Sequence, residues 1–259
     1  MKENDFCALV RAHMAKYKRD VIGISENGTW KNKEHPHILP EEHGAKNIML
    51  DASLFEINGD MLTLKPYGKK IKLHQGWRHL NSSQILCVNY FYPIISDNEK
   101  LNGLSAFLGA KEKAVSADFE FIVEDKSNID LAIRLENGKY IYLEIKYCES
   151  EFGSASSKRA QNDGTYKRIR KTYHDSVLIT DEDYLKHYQI IRNICLSHVS
   201  TGNITVFLIP SKNESINNQY EQSMKAIENP EDFNFKRIYW EDLISAFANS
   251  EIRKKYFNM

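Results

Sequence analysis

The sequence predicts an α/β fold: a central mixed β-sheet flanked by helices, with a smaller α+β region at the N-terminal end. Three observations carry this prediction. Apolar stripes at helical spacing alternate with short strand-like runs along the 259 residues. The run IDLAIRLENGKYIYLEIKYCE, residues 129–149, reads as two strands around a tight turn. The later run NITVFLIPS is almost wholly apolar, as a buried strand is.

The elements follow in order. Residues 5–18 form a helix, with Phe6, Leu9, Val10, Met14 and Tyr17 on one stripe. Residues 24–48 are punctuated by Gly, Pro and Asn and read as irregular. SLFEI and MLTLKPY are strands flanking the turn signal Asn58-Gly59. LNSSQILCVNYFYPI is a helix capped by Asn81 or Ser82 and ended at Pro93. A second short helix falls within 100–112, and DFEFIV is a strand before the hairpin. DEDYLKHYQIIRNICLSH has acids suited to a helix start and a clear helical stripe. A helix, the strand FKRIYW and a final helix with a basic tail complete the chain. Residues 1–75 are expected to form an accessory region packed on a core of 76–259.

The composition is 42% hydrophobic and 27% charged, which suits a real core. Lys plus Arg and Asp plus Glu number 35 each, so a wholly basic surface is excluded and a local basic patch is not. Cys7, Cys87, Cys148 and Cys195 are far apart with no CxxC pair, the pattern of reduced cytoplasmic thiols. No signal peptide or membrane span is expected.

The second hairpin strand poses a chemical question. Ile141, Leu143, Ile145 and Tyr147 face one way, and Glu144 and Lys146 face the other. Asp130 opens the first strand. Two carboxylates at one end of a sheet can hold a hard divalent cation such as Mg²⁺ through oxygen ligands. A neighbouring lysine can orient a water or stabilise charge growing on a phosphate. The same pattern also suits an exposed, salt-bridged strand, and a second Glu-x-Lys, Glu124-Asp125-Lys126, reads as a solvated loop. Register separates the two. A two-residue turn at Asn137-Gly138 pairs Asp130 with Ile145 and turns it away from Glu144. A three-residue turn over 136–138, with Gly138 left-handed, sets Asp130 across from Glu144.

The order helix, strand, strand with Asp130, strand with Glu144-Ile145-Lys146, helices, strand resembles the PD-(D/E)XK nucleases, the restriction-endonuclease-like fold. Three motifs bring it close to a family of bacterial restriction endonucleases: WRHLNSSQILCVNYFYPI at 77–94, EIKYCESEFG at 144–153 and YQIIRN at 188–193. The resemblance covers residues 74–210, and Asn128-Ile129-Asp130 stands where the family has Pro-Asp. It implies that Asp130 and Glu144 are metal ligands with the Ile145 carbonyl, that Lys146 is the catalytic lysine, and that Glu120 is an extra acid completing the shell. It places Gln84 and Gln189 near the site. It implies Mg²⁺, with Mn²⁺ as a substitute, and hydrolysis of double-stranded DNA by a cytoplasmic homodimer, with a methyltransferase acting on the same target.

Other candidates have plainer readings beside the functional one. Gln84, with Asn89, can cap and pack its helix. Arg192 can pair with a structural carboxylate or touch phosphate. The basic run Lys158, Arg159, Lys167, Arg168, Arg170 and Lys171 is a solvated helix face or tracks a DNA backbone. His35, His37 and His43 lack the cysteine partners of a zinc site. Glu149 and Glu151 are acids at a strand exit. Tyr166 and Tyr173 pack in a core or stack on bases. A restriction or phage-defence nuclease is the leading function. A repair or structure-specific nuclease and an inactive DNA-binding module on the same scaffold are its rivals.

Overall fold

A computed structural model describes residues 5–65, 68–123, 127–156, 181–247 and 249–258. The chain divides into two compact units, one built from residues before 98 together with 241–258, the other from Asn98–Trp240. The expected boundary after residue 75 falls inside the first unit.

In the first unit, α1 (Asp5–Tyr17) carries an acid in its first turn and Lys16 in its last, matching the helix dipole. Phe6, Val10 and Met14 are buried as the stripe predicts, joined by Cys7 and Ala15, whereas Leu9 is 63% exposed. The 24–48 stretch expected to be irregular contains a hairpin, β1 (Gly28–Trp30) with β2 (Lys33–His35). Its two-residue turn uses Lys31 and Asn32, both at positive φ, so no glycine announced it. β3 (Phe55–Asn58), β4 (Met61–Leu64) and β5 (Lys69–Lys72) form an antiparallel sheet. α2 (Ser83–Ile95) is capped by the Ser82 hydroxyl, which accepts from the Ile85 N–H at 3.4 Å. It runs two residues past Pro93, because apolar burial on nearly every side holds the last turn.

The second unit begins with α3 (Asn98–Phe107) and is organised on one five-stranded sheet. β6 (Ala114–Ile122), β7 (Asn128–Leu135) and β8 (Tyr140–Ile145) are antiparallel neighbours. α4 (Asp181–Lys186) and α5 (Tyr188–Cys195) precede β9 (Ile204–Ile209), which runs parallel to β8. After α6 (Glu214–Met224), β10 (Phe235–Tyr239) adds in parallel at the edge. The sheet is therefore mixed, with strand order β10-β9-β8-β7-β6. Every residue of β9 is buried, as its apolar run predicts. The helix expected over 181–198 is two helices. The backbone leaves helical geometry at His187, whose buried ring bonds the Ser223 hydroxyl at 2.9 Å.

Phe152, Tyr184, Tyr188, Ile191 and Ile194 pack with Phe207 and Tyr220 into a core cluster around α5, α6 and β9. The segment 241–258 then returns to the first unit. α7 (Trp240–Ala246) receives the Tyr90 hydroxyl at the Leu243 carbonyl, 3.1 Å away. α8 (Ser250–Ile252) continues into a wider helical turn, Arg253–Phe257, where the Tyr256 hydroxyl accepts from Asn89 at 3.1 Å. No described helix is long and apolar enough to cross a membrane.

Candidate active site

The hairpin takes the three-residue turn. Leu135 N–H bonds Lys139 O at 2.8 Å, and Gly138 N–H bonds Leu135 O at 2.9 Å. Gly138 sits at φ +79°, a conformation other residues adopt with strain. The pairs Arg134–Tyr140, Ile133–Ile141, Ala132–Tyr142 and Leu131–Leu143 follow, which brings Asp130 level with Glu144 on one face. Beyond Leu131–Leu143 the ladder stops. The Asp130 carboxylate takes over, its Oδ2 accepting the Ile145 N–H at 2.6 Å. The parting of β7 and β8 thus occurs where the acids lie.

Glu144 and Lys146 are not on an exposed strand: their side chains are 2% and 12% exposed. Lys146 Nζ donates to Glu144 Oε1 at 2.8 Å and lies 5.8 Å from the centre of the Phe152 ring. Its backbone is pinned on both sides. The N–H bonds Leu208 O at 3.0 Å, and the Lys146 carbonyl accepts from the buried Trp240 indole at 3.0 Å. Asn213 caps α6 and donates to the Tyr147 and Glu149 carbonyls at 3.1 and 2.9 Å, bracing the chain that leaves β8.

Glu144 has a second donor that sequence reasoning missed. Asn193 on α5, fully buried, gives its Nδ2–H to Glu144 Oε2 at 2.7 Å. Its own Oδ1 accepts from Arg192 Nε and Nη2 at 3.0 and 2.9 Å. Arg192 therefore acts on Glu144 through Asn193. The available signal was a polar residue inside an otherwise apolar helical stripe (Ile190, Ile191, Ile194). Gln189, on the preceding turn, donates its backbone N–H to Gly153 O at 3.2 Å. Gly153 is at φ +118°, and a Cβ there would stand 3.0 Å from Gln189 Oε1, so this glycine lets the two segments close.

Glu120 joins the acids from β6. The flanking pairs Phe119–Leu131 and Phe121–Ile129 set it level with Asp130. Its backbone is left-handed, φ 49°, which is uncommon for glutamate and marks local strain. Asn128 donates an amide N–H to its carboxylate. The Phe121 ring that follows packs on Tyr140, 5.3 Å between ring centres.

The electrostatics are those of crowded acids around one ammonium. Burial, and then the Glu144 carboxylate, push Asp130 well above the ordinary carboxylate range; Glu120 adds to this, while Lys146 and the Ile145 N–H oppose it. Burial works to lower Lys146, but Glu144, Asp130 and Glu149 outweigh it and hold the ammonium above the usual lysine value. Glu149 is thus part of the field at Lys146, and its carboxylate accepts the Tyr147 N–H at 2.6 Å. Hard oxygen donors carrying excess negative charge are the donor set that suits a divalent cation. Among the described residues, no three His, Cys, Asp or Glu side chains converge as a metal-binding group.

Gln84 lies in the first unit. Its amide is held by Lys72 O and the His74 N–H, both at 2.9 Å. Lys158, Arg159, Lys167, Arg168, Arg170 and Lys171 lie outside the described residues, as do Tyr166 and Tyr173.

No curated protein matches the chain. A family model described as Restriction Endonuclease associating with ARP matches residues 11–258. The match spans both units and includes the β6–β9 sheet that carries Asp130, Glu144 and Lys146. The chain belongs to this restriction-endonuclease family.

Proposed function

We propose that the protein is a Mg²⁺-dependent endodeoxyribonuclease that hydrolyses phosphodiester bonds of double-stranded DNA in restriction or phage defence. The observation that supports this most is the register: the turn ending at Gly138 sets Asp130 level with Glu144, beside a buried Lys146. Asp130, Glu144 and the Ile145 carbonyl would hold the ion, with Glu120 adjacent. When bound, Mg²⁺ supplies charge stabilisation at phosphate and a lowered pKa for water. Mn²⁺ would substitute. Lys146, kept cationic by its carboxylate neighbours, offers a donor to the attacking water or to a phosphate oxygen. Water adds to phosphorus, the bond to the 3′ oxygen breaks, and that oxygen takes a proton, leaving a 5′-phosphate. Asn193 keeps Glu144 turned toward Lys146, and Gln189 stands over the loop that follows β8. Cutting both strands calls for two such centres, so the reading includes a homodimer. The 158–171 basic run would track the phosphate backbone, and a methyltransferase of the same specificity would protect host DNA.

The test is purified protein with plasmid and phage DNA in Mg²⁺, in Mn²⁺ and in chelator. Cleavage in both metals, its loss in chelator and its loss in Asp130→Ala and Glu144→Ala are expected. DNA binding without cleavage by the parent protein would favour the inactive-scaffold alternative. Cutting restricted to branched or single-stranded DNA would favour a repair nuclease.

A further inference from the structure

We infer that the first unit carries a second binding site, a cavity of about 480 Å³ between α1, the β1–β2 hairpin and the segment before α2, which takes a nucleotide: a planar base joined to an anionic phosphate. The inference goes beyond the nuclease reading and uses none of its residues. The volume is in the range of small-molecule sites. Arg11 brings a permanent cation to the wall, and among the described residues no acidic side chain lines the cavity. Ala12 and Ala15, on the same helix face, are the small side chains that leave the space open.

The opposite wall is aromatic and polar. The Trp30 and His79 rings meet edge to face at 4.9 Å, and His79 meets His37 in the same way at 5.8 Å. Ring walls of this kind suit a heterocycle, as in pockets that receive extruded bases. Burial, reinforced by neighbouring positive charge, lowers His37 and His79 to about 4. Both imidazoles are therefore neutral at pH 7, and each offers hydrogen bonds rather than charge.

Two polar atoms on lining residues lack partners: His79 Nε2 and Asn81 Oδ1 are buried with no hydrogen bond. Buried, unsatisfied groups are unfavourable and call for an explanation. Both belong to the WRHLNSSQ motif. Turned toward the cavity, Asn81 Oδ1 would accept from the amino or imide N–H of a base, and His79 Nε2 would pair with a ring nitrogen or N–H. The base enters either as a free nucleotide or as an extruded residue of a DNA strand.

The experiment uses the full chain in chelator, so that cleavage plays no part. Calorimetric titration with each 5′-deoxynucleoside monophosphate is run beside inorganic phosphate. A second arm follows the fluorescence of DNA duplexes containing 2-aminopurine. At least one nucleotide, or the duplex arm, is expected to give a signal. Arg11→Met should weaken it tenfold or more. Ala12→Leu, an exposed position whose larger side chain fills the space, should do the same with an unchanged circular dichroism spectrum. A fluorescence rise in DNA assigns the extruded base; binding of nucleotide without that rise assigns the free ligand. The inference is overturned if neither arm responds, if phosphate binds as tightly as the nucleotides, or if both variants bind like the parent.

Discussion

Asn193→Ala tests whether the Arg192–Asn193–Glu144 chain holds the acid in place. Asn193 is fully buried, and its two ends serve two charged groups: a donor to Glu144 at 2.7 Å and an acceptor for two Arg192 N–H groups near 3 Å. A hydrogen bond to a charged group contributes about 1.5–3 kcal/mol, and breaking a buried charged network by removing one member costs about 3–5 kcal/mol. Among the described residues, the substitution leaves Glu144 with Lys146 as its remaining side-chain donor, and it strips the bonded edge of a guanidinium that is 8% exposed. A loss of about 3–4 kcal/mol follows for the unit that contains the sheet. Urea unfolding followed by far-ultraviolet circular dichroism, in chelator at pH 7.5, measures it. A double-mutant cycle with Glu144→Gln isolates the pair, with a coupling of about 1.5 kcal/mol or more expected. A loss below about 1 kcal/mol, or a cycle that closes additively, would refute the idea that Asn193 positions the carboxylate.

Three further outcomes are expected. Asp130→Asn retains an acceptor for the Ile145 N–H and removes a charge beside Glu144, so it should abolish Mg²⁺-dependent cleavage while metal-free stability holds or rises by about 1 kcal/mol; marked destabilisation in urea would contradict this. Gly138→Ala meets no atom within 4 Å, so its effect should be the left-handed penalty alone, about 1–2 kcal/mol, and a loss above 3 would mean that the turn is built differently. His37 and His79 titrate near 4 when folded against 6.5 unfolded, so the unfolded chain takes protons first as pH falls. Their stabilising effect is complete above about pH 6.5 and is lost toward pH 4, by about 1–2 kcal/mol per ring once solvent screening is counted, and a His37→Gln/His79→Gln variant should flatten the urea midpoint against pH over that window.

Much of this was legible in the sequence. Strict alternation in YIYLEIKY gave the apolar and polar faces of β8, and the asparagine-glycine pair gave the turn. Which residues faced each other was legible only as two alternatives, because moving the pairing by one residue reverses every face. The backbone of Gly138 decides it. Elements without a strong local signature were not readable. Lys31 and Asn32 make a tight turn with no glycine, and β5 has a single buried residue, Ile71, among lysines. The pairing of Asn193 with Glu144 spans 49 positions and leaves no periodic trace. His187 breaks a helix whose stripe runs on without interruption, since the cause is a bond to Ser223 far along the chain.

The return of residues 241–258 to the first unit sets an order of manufacture. Lys255 donates to the Asn47 carbonyl and side chain at 2.9 and 2.8 Å, and His13 Nε2 lies 2.9 Å from the Lys255 carbonyl. These ties join segments that leave the ribosome more than two hundred residues apart, with all of Asn98–Trp240 between them. The sheet carrying Asp130, Glu144 and Lys146 can therefore close on itself during synthesis, while α1 and α2 wait for partners not yet made. The first unit is nested around the second in time as well as in sequence. A chain ending at Trp240, once released from the ribosome, should already protect β6–β9 from protease and should leave α1 open to it.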